Sequence, residues 1–138
     1  MENTLKLKIK GLVGIKKIYT SGEEEILLED NNNITDDSLE IIMRCLTQHD
    51  FNKSVDRIKV KGDFGEIEQA INFAGYNNGS ITFKAIFPEF SFSGLITGLE
   101  LRSSALNKKL AVKENLSIYK ENTNFLLQID WKITITNN

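Results

Sequence analysis

The stretch FLLQIDWKITIT, residues 125–136, constrains the fold more than any other part of the chain. Its apolar side chains fall on alternate positions, and polar side chains mostly occupy the positions between them. Strict alternation is typical of a β-strand with one face in a hydrophobic core and the other toward water. We therefore predict a long, half-buried strand here. Its apolar face consists of Leu127, Ile129, Trp131, Ile133 and Ile135.

Similar patterns recur along most of the chain and predict roughly eight strands in all. The Asn-Gly pair at residues 78–79 is a hairpin signal, and Pro88 is expected to close a strand. Gly11 and Gly14 are expected to interrupt the chain between the first two strands. The segments predicted as strands are 5–10, 15–20, 23–30, 55–61, 69–75, 80–87, 95–102, 109–119 and 125–136.

Residues 36–48 form the one segment that favours an α-helix. Thr35 is a good N-cap residue, and Ile34 and Leu39 have the spacing of a hydrophobic staple. Apolar residues follow the i, i+3, i+4, i+7 spacing of a helix with one buried face. Together with strand positions, they give the predicted core: Leu39, Ile42, Met43, Leu46, Phe83, Leu99, Ile129, Trp131 and Ile133.

Length and element order together indicate the fold class. A chain of 138 residues favours one domain, residues 1–138, and can bury a single core without disulfides. One helix and about eight strands at short intervals are typical of an antiparallel arrangement. We therefore predict a mostly-β protein, an antiparallel β-sandwich of about eight strands with one α-helix at about residues 36–48.

The residue types that carry chemistry are sparse. The single cysteine, Cys45, and the single histidine, His49, are four residues apart, but two ligands do not make a zinc site. A more ordinary interpretation is that Cys45 packs in the core and His49 lies at the helix end. The acidic residues of GDFGEIE, 62–68, lack the ligand pattern of a calcium loop. We expect no enzyme activity, no metal and no cofactor.

Charge and hydropathy bear on possible partners. There are 17 basic and 19 acidic residues, for a net charge of −2, which argues against a general nucleic-acid-binding role. No apolar run approaches the roughly 18 residues of a membrane span, and no signal peptide is evident. We expect synthesis in a cytosol and contacts with neither nucleic acid nor membrane.

Two groups of residues are candidates for contact with other proteins. Lys6, Lys8 and Lys10 lie in a stretch without acidic residues. They either face DNA or an acidic partner, or protect an edge strand from aggregation. Phe90 and Phe92 lie in the loop PEFSFSG, 88–94, and would be costly to leave exposed. They form either an interface or part of the core.

The order of segments from residue 30 onward resembles the small mostly-β domains of tailed-phage tail-fibre, tail-collar and baseplate proteins. The resemblance covers about four-fifths of the chain. It rests on these segments in this order: NNITDDSLEIIMRCL (32–46), VDRIKVKGDFG (55–65), SITFKAIFPEFSFSGLITGLEL (80–101), NKKLAVKENLSIYK (107–120) and FLLQIDWKITIT (125–136).

The sequence departs from that family pattern at Ile96, where the family usually carries a glutamate two residues before its Gly-Leu pair, and Glu100 follows the pair here. What the resemblance implies is a virion structural protein without enzyme activity. It would be an adaptor or ring component of the tail, baseplate or neck, binding other virion proteins and itself as a symmetric homo-oligomer. Alternatives are a carbohydrate- or ligand-binding β-sandwich module, a head-decoration protein and a hydrolase with a carboxylate pair.

Overall fold

The computed structural model describes residues 7–48, 55–89, 91–121 and 125–137. It contains one helix and ten strands. In chain order these are β1 (Leu7–Tyr19), β2 (Glu24–Ile34), α1 (Ser38–Gln48), β3 (Arg57–Gly62), β4 (Gly65–Ala70), β5 (Phe73–Asn77), β6 (Ser80–Phe87), β7 (Gly94–Ser103), β8 (Lys108–Lys113), β9 (Ile118–Lys120) and β10 (Phe125–Asn137).

All pairings are antiparallel, and the strand order is β4-β3-β7-β8-β2-β1-β10-β6-β5, with β9 paired to β7. We call β2-β1-β10-β6-β5 the first half-sheet and β8-β7-β3-β4 with β9 the second half-sheet. They join where the end of β2 leaves β1 and pairs with β8, at Asn33↔Val112 and Ile34↔Ala111. The prediction of a mostly-β antiparallel fold with one helix is confirmed.

The core lies between the two half-sheets, and the alternation of β10 explains its position. Trp131 lies opposite Val13 on β1 and Phe83 on β6, and all three side chains are buried. Leu99 and Leu101 of β7 enter the same core from the second half-sheet. The predicted core positions on the strands are therefore confirmed: Phe83, Leu99, Ile129, Trp131 and Ile133.

The two ends of the sheet meet at a seam formed by Ile71 and Asn72. These two residues join β4 to β5, which stand at opposite ends of the strand order, so the sheet must curl to bring its edges together. Ile71 N donates to Asp56 O (2.9 Å) and Asn72 N donates to Lys84 O (2.8 Å). Asn72 Oδ1 accepts from Ile86 N at 2.9 Å. The seam thus bonds to β6 of the first half-sheet and to the residue that directly precedes β3 of the second half-sheet.

Turn chemistry follows the sequence signals. Asn78 and Gly79 both have positive φ, 49° and 82°, which a tight hairpin between β5 and β6 requires. Gly22 also has a positive φ, between β1 and β2. β6 ends at Phe87, directly before Pro88, as predicted.

Several boundaries differ from the prediction. There are ten strands, a few more than the roughly eight predicted, because the predicted strand 69–75 is divided between β4 and β5 and the predicted strand 109–119 between β8 and β9. β1 also continues through Gly11 and Gly14. Glycine is only weakly unfavourable in a strand, and the unbroken pairing of β1 with β10 supports both positions.

The helix begins later than predicted, and it turns a different face to the core. The Thr35 hydroxyl donates to the carbonyls of Lys109 and Leu110 in β8, so it anchors the chain to the sheet and does not cap the helix. The first α-helical hydrogen bond of α1 joins Ile41 N to Asp37 O at 3.1 Å. The predicted core residues Leu39 and Met43 are exposed, whereas Ile42 is partly buried. The side chain of Leu46 lies outside the described part of the structure.

Candidate functional site

The exposed face of α1 is the first candidate surface. Ile41 is buried against the core, and Lys108 of β8 bonds Glu40 at 2.8 Å, which together fix the rotation of the helix. Leu39 and Met43, one turn apart, therefore point away from the core and remain 61% and 51% exposed. We call Leu39 and Met43 the helix ridge. The helix ridge is a small exposed apolar surface, and larger surfaces of this kind mark contacts between proteins.

The outer face of the first half-sheet is the second candidate surface. β1 pairs with β10 without a register shift from Leu7 to Tyr19, so its side chains alternate regularly. Val13 and Ile15 face the core. The opposite, outer face of β1 carries Lys8, Lys10, Leu12, Gly14 and Lys16.

A groove of about 380 Å³ opens on this outer face around Gly14. Glu29 of β2 and Asp130 of β10 are the cross-strand partners of Gly14, and both line the groove. Lys84 and Lys132 line it from β6 and β10. We call this hollow the Gly14 groove.

An aromatic ring stands at the β5 end of the Gly14 groove. Phe73 is 55% exposed, and its ring lies over Gly75 of the same strand. The Nζ of Lys84, its cross-strand partner, is 5.8 Å from the ring centroid. Ile26 of β2 is a second exposed apolar residue in the lining. The groove therefore combines apolar surface with charged groups.

The outer face of the second half-sheet carries a buried carboxylate. Glu100 of β7 is 3% exposed and pairs with Arg102 (2.7 Å), Lys61 (2.9 Å) and Lys109 (3.2 Å). Burial acts to raise the pKa of the Glu100 carboxyl, but hydrogen bonds from the three cations outweigh burial and lower this pKa to about 2. Glu100 is therefore a fixed negative charge that organises these basic side chains.

Lys120 of β9 is a fully buried cation among aromatic rings. Its Nζ donates to Phe92 O (2.9 Å) and Glu121 O (3.4 Å), and it lies 4.9 Å and 5.3 Å from the ring centroids of Phe92 and Phe125. Burial lowers the pKa of Lys120, while the charge of Glu89 acts in the opposite direction. Because its ammonium group is enclosed, Lys120 has a structural position, in which it links the 88–94 loop to β9.

Of the contact residues predicted from the sequence, the structure exposes two and buries one, and two lie outside the described residues. Lys8 and Lys10 are exposed on the outer face of β1, beyond the Gly14 groove. Lys6 and Phe90 lie outside the described residues. Phe92 is a core residue and not an exposed contact, because its ring packs on Phe64 and Phe87 at centroid distances of 4.6 Å and 5.8 Å.

The Cys45–His49 pair cannot be placed, because His49 and the side chain of Cys45 lie outside the described part of the chain. Within residues 7–48, 55–89, 91–121 and 125–137, no three His, Cys, Asp or Glu side chains are grouped closely enough to hold a metal ion. No helix in these ranges is long and apolar enough to cross a membrane.

No protein-family model matches the chain, and neither a curated protein nor a solved structure matches it.

Sequence reasoning missed the two most distinctive residues of the groove, Gly14 and Phe73. The one available signal was Gly14 itself, a residue without a side chain in the middle of an alternating segment. Gly14 lies near Phe73 only because β1, β10, β6 and β5 follow one another in the sheet. No local sequence pattern predicts that order.

Proposed function

We propose that this chain is a structural component of the tail, baseplate or neck of a tailed phage or a related contractile particle. It acts through protein–protein contacts, as an adaptor or ring component, and not as an enzyme. The order of segments from residue 30 onward supports the particle class. The helix ridge of Leu39 and Met43 supports the mode of action.

The helix ridge is the observation that carries the proposal. A helix with the apolar spacing of α1 ordinarily buries its apolar stripe in its own core. Here Ile41 is the buried residue and Lys108 bonds Glu40, so the helix is rotated and part of the stripe, Leu39 and Met43, faces the surroundings. Exposed apolar side chains arranged in this way favour association with another protein surface.

Association as a symmetric homo-oligomer fits this proposal. Particle components repeat around an axis, and a heterologous contact closes into a ring when its rotation closes. The helix ridge offers one side of such a contact, either to a second copy or to another virion protein. The place of action is then the virion, after synthesis in the host cytoplasm.

The direct test is mass spectrometry of density-banded particles from the source culture, with a search for the tryptic peptide ENTNFLLQIDWK, residues 121–132. We expect this peptide at stoichiometric level relative to known particle proteins. Its presence in the lysate but not in the particles would overturn the proposal.

A variant test addresses the helix ridge itself. The double variant Leu39→Glu, Met43→Glu places charge on the ridge, and we expect it to fold but to be lost from particles or oligomers. Tyr119→Glu is the matched control, because Tyr119 is similarly exposed but lies on β9. Normal incorporation of the double variant, measured against this control, would exclude the ridge as the contact surface.

A further inference from the structure

Gly14 is a glycine that the fold does not require. Its φ is not in the left-handed region. A Cβ there would lie 3.6 Å from Leu28 O and 3.9 Å from Asp130 O, which are ordinary contacts. A side chain would therefore fit the backbone but would fill the groove. Glycine within a strand often marks a place where a ligand or another backbone approaches closely.

Gly75 has a complementary role at the other end of the groove. A Cβ on Gly75 would come within 2.7–2.8 Å of the Phe73 ring, so the ring can lie over the strand only because residue 75 is glycine. More than half of the Phe73 side chain nevertheless remains exposed. The absence of side chains at Gly14 and Gly75 leaves a hollow beside the Phe73 ring, and this ring lies on the backbone of β5 at Gly75.

The charged side chains that line the Gly14 groove are of both signs: Glu29 and Asp130 against Lys16, Lys84 and Lys132, with Lys16 Nζ already bonded to Glu24 at 3.2 Å. Asp130 accepts two contacts from Gln128 Nε2, at 3.0 Å and 3.1 Å, which orient its carboxylate. Glu29 adds a second acceptor, and Lys84 and Lys132 add two cationic donors. A strongly charged ligand of either sign would meet like charges here, whereas hydroxyl groups can both donate and accept.

We propose that the Gly14 groove binds a neutral saccharide, with one sugar ring stacked on Phe73 and its hydroxyls bonded to Asp130, Glu29, Lys84 and Lys132. The apolar face of a sugar ring matches an aromatic side chain, and its hydroxyls match a mixed set of donors and acceptors. The groove volume, about 380 Å³, lies within the range typical of small-molecule sites.

The backbone around the groove favours a small ligand over an added β-strand. β1, β10 and β6 form its floor, and each already pairs with a neighbour on both sides. Recognition must therefore come from side chains. Saccharide binding goes beyond the proposed structural role, and each can be tested independently of the other.

The experiment is a titration of the isotope-labelled chain with neutral oligomers of glucose, galactose, mannose and N-acetylglucosamine, followed by amide chemical shifts. We expect saturable shifts at Gly14, Gly75 and Thr82. Phe73→Ala should weaken binding by about tenfold, the scale of one aromatic stacking contact. Tyr76→Ala is the matched control, since Tyr76 is an exposed aromatic of β5 on the opposite face, and it should leave the affinity unchanged.

A second variant fills the hollow without disturbing the core. Gly14→Val suits a strand and should abolish binding while leaving the thermal midpoint within a few degrees of the wild type. Three outcomes would overturn the proposal: no shifts with any neutral oligomer at about 10 mM, binding that Phe73→Ala and Gly14→Val leave intact, or stronger binding to oligogalacturonate than to every neutral oligomer.

Discussion

Glu100 is a single carboxylate that organises three cationic side chains on a half-sheet. Lys61, Arg102 and Lys109 come from three neighbouring strands, so the carboxylate joins β3, β7 and β8 across their outer face. Removing one member of such a buried group leaves the others without compensation, which is usually more destabilising than the loss of an exposed ion pair.

Glu100→Gln should lower the free energy of unfolding by about 2–4 kcal/mol at neutral pH, because the three cations around the buried position lose their counter-charge. Urea denaturation of the variant and the wild type measures this change. Glu66→Gln is the control, since Glu66 pairs with Lys59 at 2.9 Å but is largely exposed. The control should change stability by less than about 1 kcal/mol. Equal effects of the two variants would contradict the special role of Glu100.

The same residue predicts a pH dependence. The pKa of Glu100 falls from an ordinary 4.5 to about 2 in the folded protein, so its ionised form stabilises the fold. This contribution is complete above about pH 4.5 and is lost as the pH falls through about 2. Wild-type stability should therefore fall by about 2–3 kcal/mol more than that of Glu100→Gln over this interval. Parallel pH profiles would contradict the assignment.

At the scale of elements, α1 should tolerate changes on one face only. Ile41→Ala removes a buried side chain and should cost about 2–4 kcal/mol of stability. Leu39→Ala removes an exposed one and should cost less than about 1 kcal/mol. Chemical denaturation of the two variants distinguishes this orientation from the one that the sequence favours, in which Leu39 is the buried residue and the costs are reversed.

Elements were predictable where the pattern depended on nearby residues alone. Alternation located β6, β7 and β10, and turn chemistry located the hairpin at 78–79. The helix was found but its orientation was not, because an apolar stripe at helical spacing fits an exposed interface as well as a core. Thr35 was misassigned because its hydroxyl partner, the carbonyl of Lys109, is 74 residues away in the chain.

The candidate sites were less predictable than the elements, because the side chains that form them come from segments far apart in the chain. Lys8 and Lys10 were identified correctly as exposed, since they alternate with aliphatic residues in one strand. For Phe92 the sequence left an interface and the core as alternatives, because its partners Phe64 and Phe87 come from other segments. The Gly14 groove combines residues from β1, β2, β5, β6 and β10, so it exists only after the whole half-sheet has formed.

At the scale of the whole molecule, the seam at Ile71 and Asn72 should control the opening of the curled sheet. Asn72→Ala deprives Ile86 N of its acceptor, and we expect a loss of about 0.5–1.5 kcal/mol with faster amide exchange at Ile86. Asn72→Asp keeps the acceptor and is the matched control. Unchanged exchange at Ile86 in the alanine variant would show that the seam does not hold the sheet edges together.

The central place of β10 has a consequence for synthesis. β10 lies between β1 and β6, although it follows the other nine strands in the chain. During translation β1 and β6 emerge long before the strand that separates them, and the edges that pair with β10 have no partner until β10 has emerged. Assembly of the first half-sheet must therefore wait for β10, and any nascent chain stalled before β10 carries two open strand edges that are prone to aggregation.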